Sequence, residues 1–138
     1  MFEAPVRIYE VKVYFDAQNH VFAFEGFDGN RTLRVQQGIN MIVLGLETTN
    51  KADGDPDAEF PIYPVVWFTT DRESYQSTIH QPECFDVQWH NHQQCTLVDT
   101  NSSLIEKHHK FNVLVSYKDQ TYGTDPVIIN QPPLSGGG

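Results

Sequence analysis

Phe111-Asn112-Val113-Leu114-Val115-Ser116-Tyr117 is the stretch whose reading decides the fold. Phe111, Val113, Val115 and Tyr117 share one side of an extended chain, while Asn112 and Ser116, followed by Lys118, take the other. A period of two is the mark of a half-buried strand. Near the N-terminus, Tyr9, Val11, Val13 and Phe15 alternate in the same way with Glu10 and Lys12. Between and beyond these two runs the pattern continues. His20 to Phe24 returns with Phe22 and Phe24 on one face. The Phe27–Asn30 run turns, because Asp28-Gly29 tolerates positive φ. Thr32 to Val35 is short, and Ile39 to Leu46, apolar on both faces, predicts a central strand. Val65 to Thr70 follows, then Cys84–Trp89 and Cys95–Val98 around a polar turn over 90–94, and finally Val127–Ile129. No window shows a helical period and no repeat is present. The spacing predicts about eight or nine strands in two packed antiparallel sheets. The expected class is an all-β sandwich, immunoglobulin-like, with a jelly-roll or cupredoxin-like barrel as the alternative. Residues 1–134 read as one domain and 135–138 as a flexible tail. The acidic stretch from Thr48 to Pro61, with Gly54, Pro56 and Pro61, reads as a long exposed loop.

The chain has 138 residues, of which 39% are hydrophobic and 12% aromatic, enough for a core. Nine basic residues against 18 acidic ones give a net charge of −9. That balance argues against nucleic acid or an anionic membrane as partner, since both are met by basic patches. No run approaches the ~20 apolar residues of a membrane helix. Met1 to Pro5 carries neither a basic nor an apolar signal region, so the expected location is the cytoplasm. There Cys84 and Cys95 are expected as two free thiols.

The run Tyr122-Gly123-Thr124-Asp125-Pro126-Val127-Ile128-Ile129-Asn130-Gln131-Pro132 resembles the bacterial DP-EP family, small proteins named for an Asp-Pro followed by a Glu-Pro. The Trp89–Asn101 stretch with Asp99 is also similar to that family. The resemblance implies a small β-sandwich that cleaves itself at Asp125-Pro126 as an aspartic-type peptidase. It further implies a lysine upstream, here Lys107, that traps the aspartate as an isopeptide. The chain departs from the pattern at Gln131-Pro132, where the family has Glu-Pro, so any proton or charge from that glutamate is missing.

The bond's own chemistry points the same way. An aspartate carboxyl can attack its main-chain carbonyl and form a five-membered anhydride. The proline nitrogen is a comparatively basic leaving group, and water opens the anhydride; a neutral lysine amine opening it instead forms an isopeptide bond. The protein must hold the carboxyl against the carbonyl and supply a proton donor of raised pKa. Val127, Ile128 and Ile129 offer apolar surroundings. Asp99, Glu106 and Asp119 are the candidate second acids. A cut frees residues 126–138 unless they stay bound as a strand. If Phe111–Tyr117 and Asp125–Ile129 form a simple hairpin turning near Asp119-Gln120, Asp125 lies opposite about Leu114, on the order of 23 Å from Lys107. The trap then requires the last segment to pair elsewhere. Asp55-Pro56, in the acidic loop, is an internal control, since an Asp-Pro is also an ordinary turn starter.

Six histidines raise a metal reading through His80, Cys84, His90, His92, Cys95 and His108-His109. Their spacing fits no zinc finger or ribbon, and neither Met1 nor Met41 follows Cys95 as a cupredoxin would require. Polar turn residues are the simpler account, with His108-His109 as candidate proton carriers. The expected reaction calls for no cofactor, and its partner is the chain itself. The rival from another class is a non-enzymatic sandwich that binds a partner or forms a homo-oligomer.

Overall fold

Alternating apolar positions must be covered, and here two sheets cover one another. The computed structural model describes residues 6–29, 31–68, 82–124 and 126–133. Among them are ten strands: β1 (Val6–Asp16), β2 (Phe22–Glu25), β3 (Thr32–Val35), β4 (Gly38–Thr49), β5 (Val65–Phe68), β6 (Phe85–Asn91), β7 (Gln94–Asn101), β8 (Lys107–Tyr117), β9 (Gln120–Thr124) and β10 (Val127–Asn130). One sheet runs β2-β1-β4-β7-β6 and the other β3-β10-β8-β5, with β9 also on β8. The result is an all-β sandwich, and neither sheet closes on itself among the described residues. No helix there is long and apolar enough to cross a membrane.

The inward set of β8 is the one its alternation predicts: Phe111, Val113, Val115 and Tyr117 are all buried. Val11, Val13 and Phe15 of β1 and Ile42, Leu44 and Leu46 of β4 face them from the other sheet's core side. Burying one such side chain contributes roughly 1.5–3 kcal/mol. β4 is central, as its two-sided apolar run predicts. The expectation of wholly antiparallel sheets is corrected. β1 runs parallel to β4, and β3 parallel to β10. Alternation reports which face is buried and is silent on strand direction, because parallel and antiparallel pleats present side chains alike.

The acidic loop is not simply exposed. Ala58 and Phe60 are buried in it, and Glu59 bridges to Ser116. Two apolar side chains are enough to fold the loop back on the core. Gly26, at φ +109, closes β2 against β1, where a Cβ would stand 2.5 Å from the Glu10 carbonyl oxygen. Only glycine fits that approach. Cys84 and Cys95 are free thiols, the first half-buried and the second buried.

Candidate functional site

Lys118 (φ 47) and Asp119 (φ 63) form the tight turn between β8 and β9. Two successive positive φ values match the right-handed strand twist. From that turn, β9 and β10 follow β8 in one unbroken register, from Tyr117 opposite Gln120 to Lys107 opposite Asn130. The Asp-Pro lies between the two strands. Asp125 is outside the described residues. Pro126 is buried, and its carbonyl accepts from Phe111 N at 3.3 Å. Val127 N donates to the Arg31 carbonyl at 2.9 Å. Proline has no N–H for the ladder, which explains an interruption here rather than elsewhere in the arm.

Lys107 does not sit beside Pro126. It opens β8 opposite Asn130, four residues along from Phe111, or roughly 13 Å at strand rise. The candidate second acids are also dispersed. Glu106 is exposed and engages His108 at 3.0 Å and Arg34 at 3.4 Å, and the His108 hydrogen bond holds its carboxyl below the usual range. Asp119 is exposed in the turn at the far end of β8. Asp99 is fully buried on β7, facing the opposite sheet.

Around Asp99 the sandwich interior turns polar. Asn40 of β4 stands beside it in the ladder and donates to the Asp99 carbonyl at 3.3 Å. Asn130 reaches across from β10, and its Nδ2 donates to Asp99 Oδ1 at 3.1 Å and to Cys84 Sγ at 3.6 Å. Cys84 Sγ is 4.0 Å from His109 Nε2. Asn101 Nδ2 donates to the carbonyls of Gln131 and Val35, tying β10 and β3 to β7. Three oxygens inside this cluster have no hydrogen-bond partner among the described residues: Asn40 Oδ1, Asp99 Oδ2 and Asn130 Oδ1. Each such group costs about 1–3 kcal/mol against a paired one. That cost is tolerated where the groups have another task.

Burial pushes the Asp99 carboxyl up to about 6, against the lowering pull of hydrogen bonding from Asn130 and Cys84. A carboxyl that titrates there can both give and take a proton near neutrality. Burial, with the charge of Asp99 beside it, pushes the Cys84 thiol up to about 11. Burial pushes His109 down to about 4. Cys84 is therefore a protonated thiol beside a neutral imidazole, which is the opposite of an activated cysteine nucleophile. A cleft of about 810 Å³ opens over these groups, with Cys84, His109, Lys107, Ser102, Leu104 and Ile105 in its walls.

The remaining histidines go separate ways. His90 hydrogen-bonds Thr96 at 2.8 Å, His92 lies 3.5 Å from Glu59, and His80 falls outside the described residues. Among the described residues no group of three or more His, Cys, Asp or Glu side chains converges as a metal-binding set.

Asp99 and His109 were legible in the sequence as candidate acid and proton carrier. Asn130 and Asn40 were missed. Their signal was available, for each is a polar residue at an inward position of an apolar strand. No family model matches the chain, and no curated protein does.

Proposed function

We propose that this chain processes itself at Asp125-Pro126, as an aspartic-type autopeptidase acting on its own backbone without a cofactor. The observation that carries this reading is the anchoring of the backbone on both sides of that bond. Thr124 is the last residue of a strand laddered to β8, and Pro126 and Val127 are hydrogen-bonded to Phe111 and Arg31. A peptide link held at both ends loses little entropy on reaching an attack geometry. The Asp125 carboxylate attacks its own carbonyl carbon, the proline nitrogen takes a proton and leaves, and water opens the anhydride. Asp99 is on β7, Glu106 is engaged by His108 and Asp119 is in the β8–β9 turn, so the proton comes from solvent. Two unbridged thiols suit the reducing cytoplasm as its location.

Cleavage would not release the C-terminal piece from the folded protein. Ile128, Ile129 and Asn130 are buried, and β10 is paired with β3 and β8. Intact-mass spectrometry in denaturant tests this across a range of pH. The wild type is expected as two pieces that divide between residues 125 and 126 yet co-elute under native conditions. Asp125→Ala should be whole, and Asp55→Ala should cut as the wild type does. Asp55 is the control because Lys118 engages its carboxylate at 2.9 Å. An unbroken wild-type chain at every pH refutes the reading.

One observation favours the rival. Ile8 (66% exposed), Leu104 (80%) and Ile105 (65%) leave apolar side chains in solvent at one end of the sandwich. An association surface would use them, and sedimentation velocity would report it.

A further inference from the structure

Lys107 is set against a different electrophile from the one the Asp-Pro chemistry offers it. It is the residue directly opposite Asn130 in the β8–β10 ladder. Directly paired residues project to the same side, with Cβ atoms about 4.5–5.5 Å apart. That side is the interior, since Lys107 continues the inward series of Phe111 and His109, and Asn130 contacts Asp99 and Cys84 across the sandwich. Lys107 also lines the cleft that opens over Cys84 and His109. A four-carbon stem is long enough to bridge such a pair.

We propose that Lys107 and Asn130 form an isopeptide cross-link between β8 and β10, with Asp99 carrying the proton. The Lys107 amine, in its neutral form, attacks Asn130 Cγ and forms a carbon–nitrogen bond. Asp99 takes the proton that the attacking nitrogen sheds. It delivers that proton to Asn130 Nδ2, which already donates to it at 3.1 Å. The Cγ–Nδ2 bond breaks and ammonia departs through the cleft. One amide replaces another, so no oxidant, water or cofactor is consumed. Asn130 Oδ1 and Asp99 Oδ2, which have no hydrogen-bond partner among the described residues, are the atoms that gain charge or a proton along this path.

The other groups facing the pair fit the assignment. Cys84 is held protonated and His109 neutral, so neither carries a charge beside the pair at neutral pH. Asn40 and Asn101 hold the backbone of β7, β3 and β10 and leave the reacting amide free. The link would fasten β10 to β8 covalently, four residues beyond Pro126. It is independent of backbone cleavage, because neither reaction uses the other's atoms.

Intact mass and peptide mapping in denaturant separate the outcomes. The wild type, held at neutral and then alkaline pH, is expected to become lighter by one ammonia. Trypsin should then fail after Lys107 and yield a branched peptide joining Lys107 to Asn130. Backbone cleavage instead divides the chain into two pieces that sum to one added water, and aminolysis at Asp125 gives two pieces that sum to the unchanged mass, with a different branch. Lys107→Arg, at an exposed position, should fold normally and lose no ammonia. Asp99→Asn, checked for fold by circular dichroism, should lower the linked fraction at least tenfold. A wild-type chain of full mass at every pH overturns the proposal. So does ammonia lost from Lys107→Arg, or a branch ending anywhere but Asn130. An undiminished linked fraction in Asp99→Asn overturns the proton route assigned here.

Discussion

The two ends of this sandwich are built from opposite materials. At the end where β8 turns into β9, rings close the interior: Phe15 meets Phe22 at 5.3 Å, Tyr117 at 5.5 Å and Tyr122 at 5.2 Å, and His20 lies tilted against Tyr122 at 4.7 Å. At the other end β4, β7 and β10 bring together Asn40, Asp99, Asn101 and Asn130, with three buried oxygens that have no partner among the described residues. The aromatic end gains area burial and ring contacts. The polar end forgoes that stabilisation and carries a carboxyl whose protonation changes near neutrality. Ring packing marks one end and buried polar groups the other, and the contrast can be tested one end at a time.

The largest effect belongs to the aromatic end. Phe15→Ala removes the ring that touches three others, and it should lower stability by about 3–5 kcal/mol. Urea unfolding followed by tryptophan fluorescence measures it. A loss below ~1 kcal/mol would mean that this end is not the mechanical anchor.

Next comes the pH dependence of the polar end, where two groups pull in opposite directions. Asp99 titrates at about 6 when folded and near 3.9 when unfolded. Between those values the folded chain holds more protons, so stability falls as pH rises through the window, by on the order of 3 kcal/mol in full. His109 titrates at about 4 when folded, below its ordinary value near 6.5. Its contribution is present above that ordinary value and is lost as pH falls toward 4. The two slopes offset each other in the wild type. Asp99→Asn should expose the histidine slope, so that the variant, unlike the wild type, loses stability steadily between pH 6.5 and 4. Urea midpoints across that range decide it, and parallel profiles for the two proteins would place Asp99 in water.

The thiols give a kinetic version of the same contrast. Cys84 lines the polar-end cleft, whereas Cys95 is fully buried and pushed up to about 12 by that burial. A thiol reagent at neutral pH should modify Cys84 slowly and Cys95 only on unfolding. Two thiols reacting at one rate in the native protein would contradict the difference in burial. The smallest effect is expected at the β8–β9 turn, where Asp119→Gly relieves a positive φ and should stabilise the aromatic end by about 0.5 kcal/mol. Thermal melting of the variant beside the wild type reads it.

Much of the fold was legible in particular residues. Phe111, Val113, Val115 and Tyr117 announced a strand and its buried face, and Ile39–Leu46 announced a central one. Lys118-Asp119 sits one residue before the turn position expected near Asp119-Gln120, a small shift, since several polar residues there suit a turn. Ala58 and Phe60 were hidden inside an acidic loop because two apolar residues make no periodic signal. At the site, Asp99 was visible as an acid but not as a buried one. Asn130 was passed over because an amide in a short apolar strand carries no signature of its partner.

Period-two alternation and turn chemistry are local properties, and they determined that this chain is all-β and which faces of β1, β4 and β8 fill the core. Strand direction and partnership depend on contacts far apart in sequence, so only the tertiary structure decided that β1 lies parallel to β4 and that Lys107 stands opposite Asn130. Desolvation depends on everything packed around a group. For that reason the raised pKa of Asp99 exists only in the assembled sandwich.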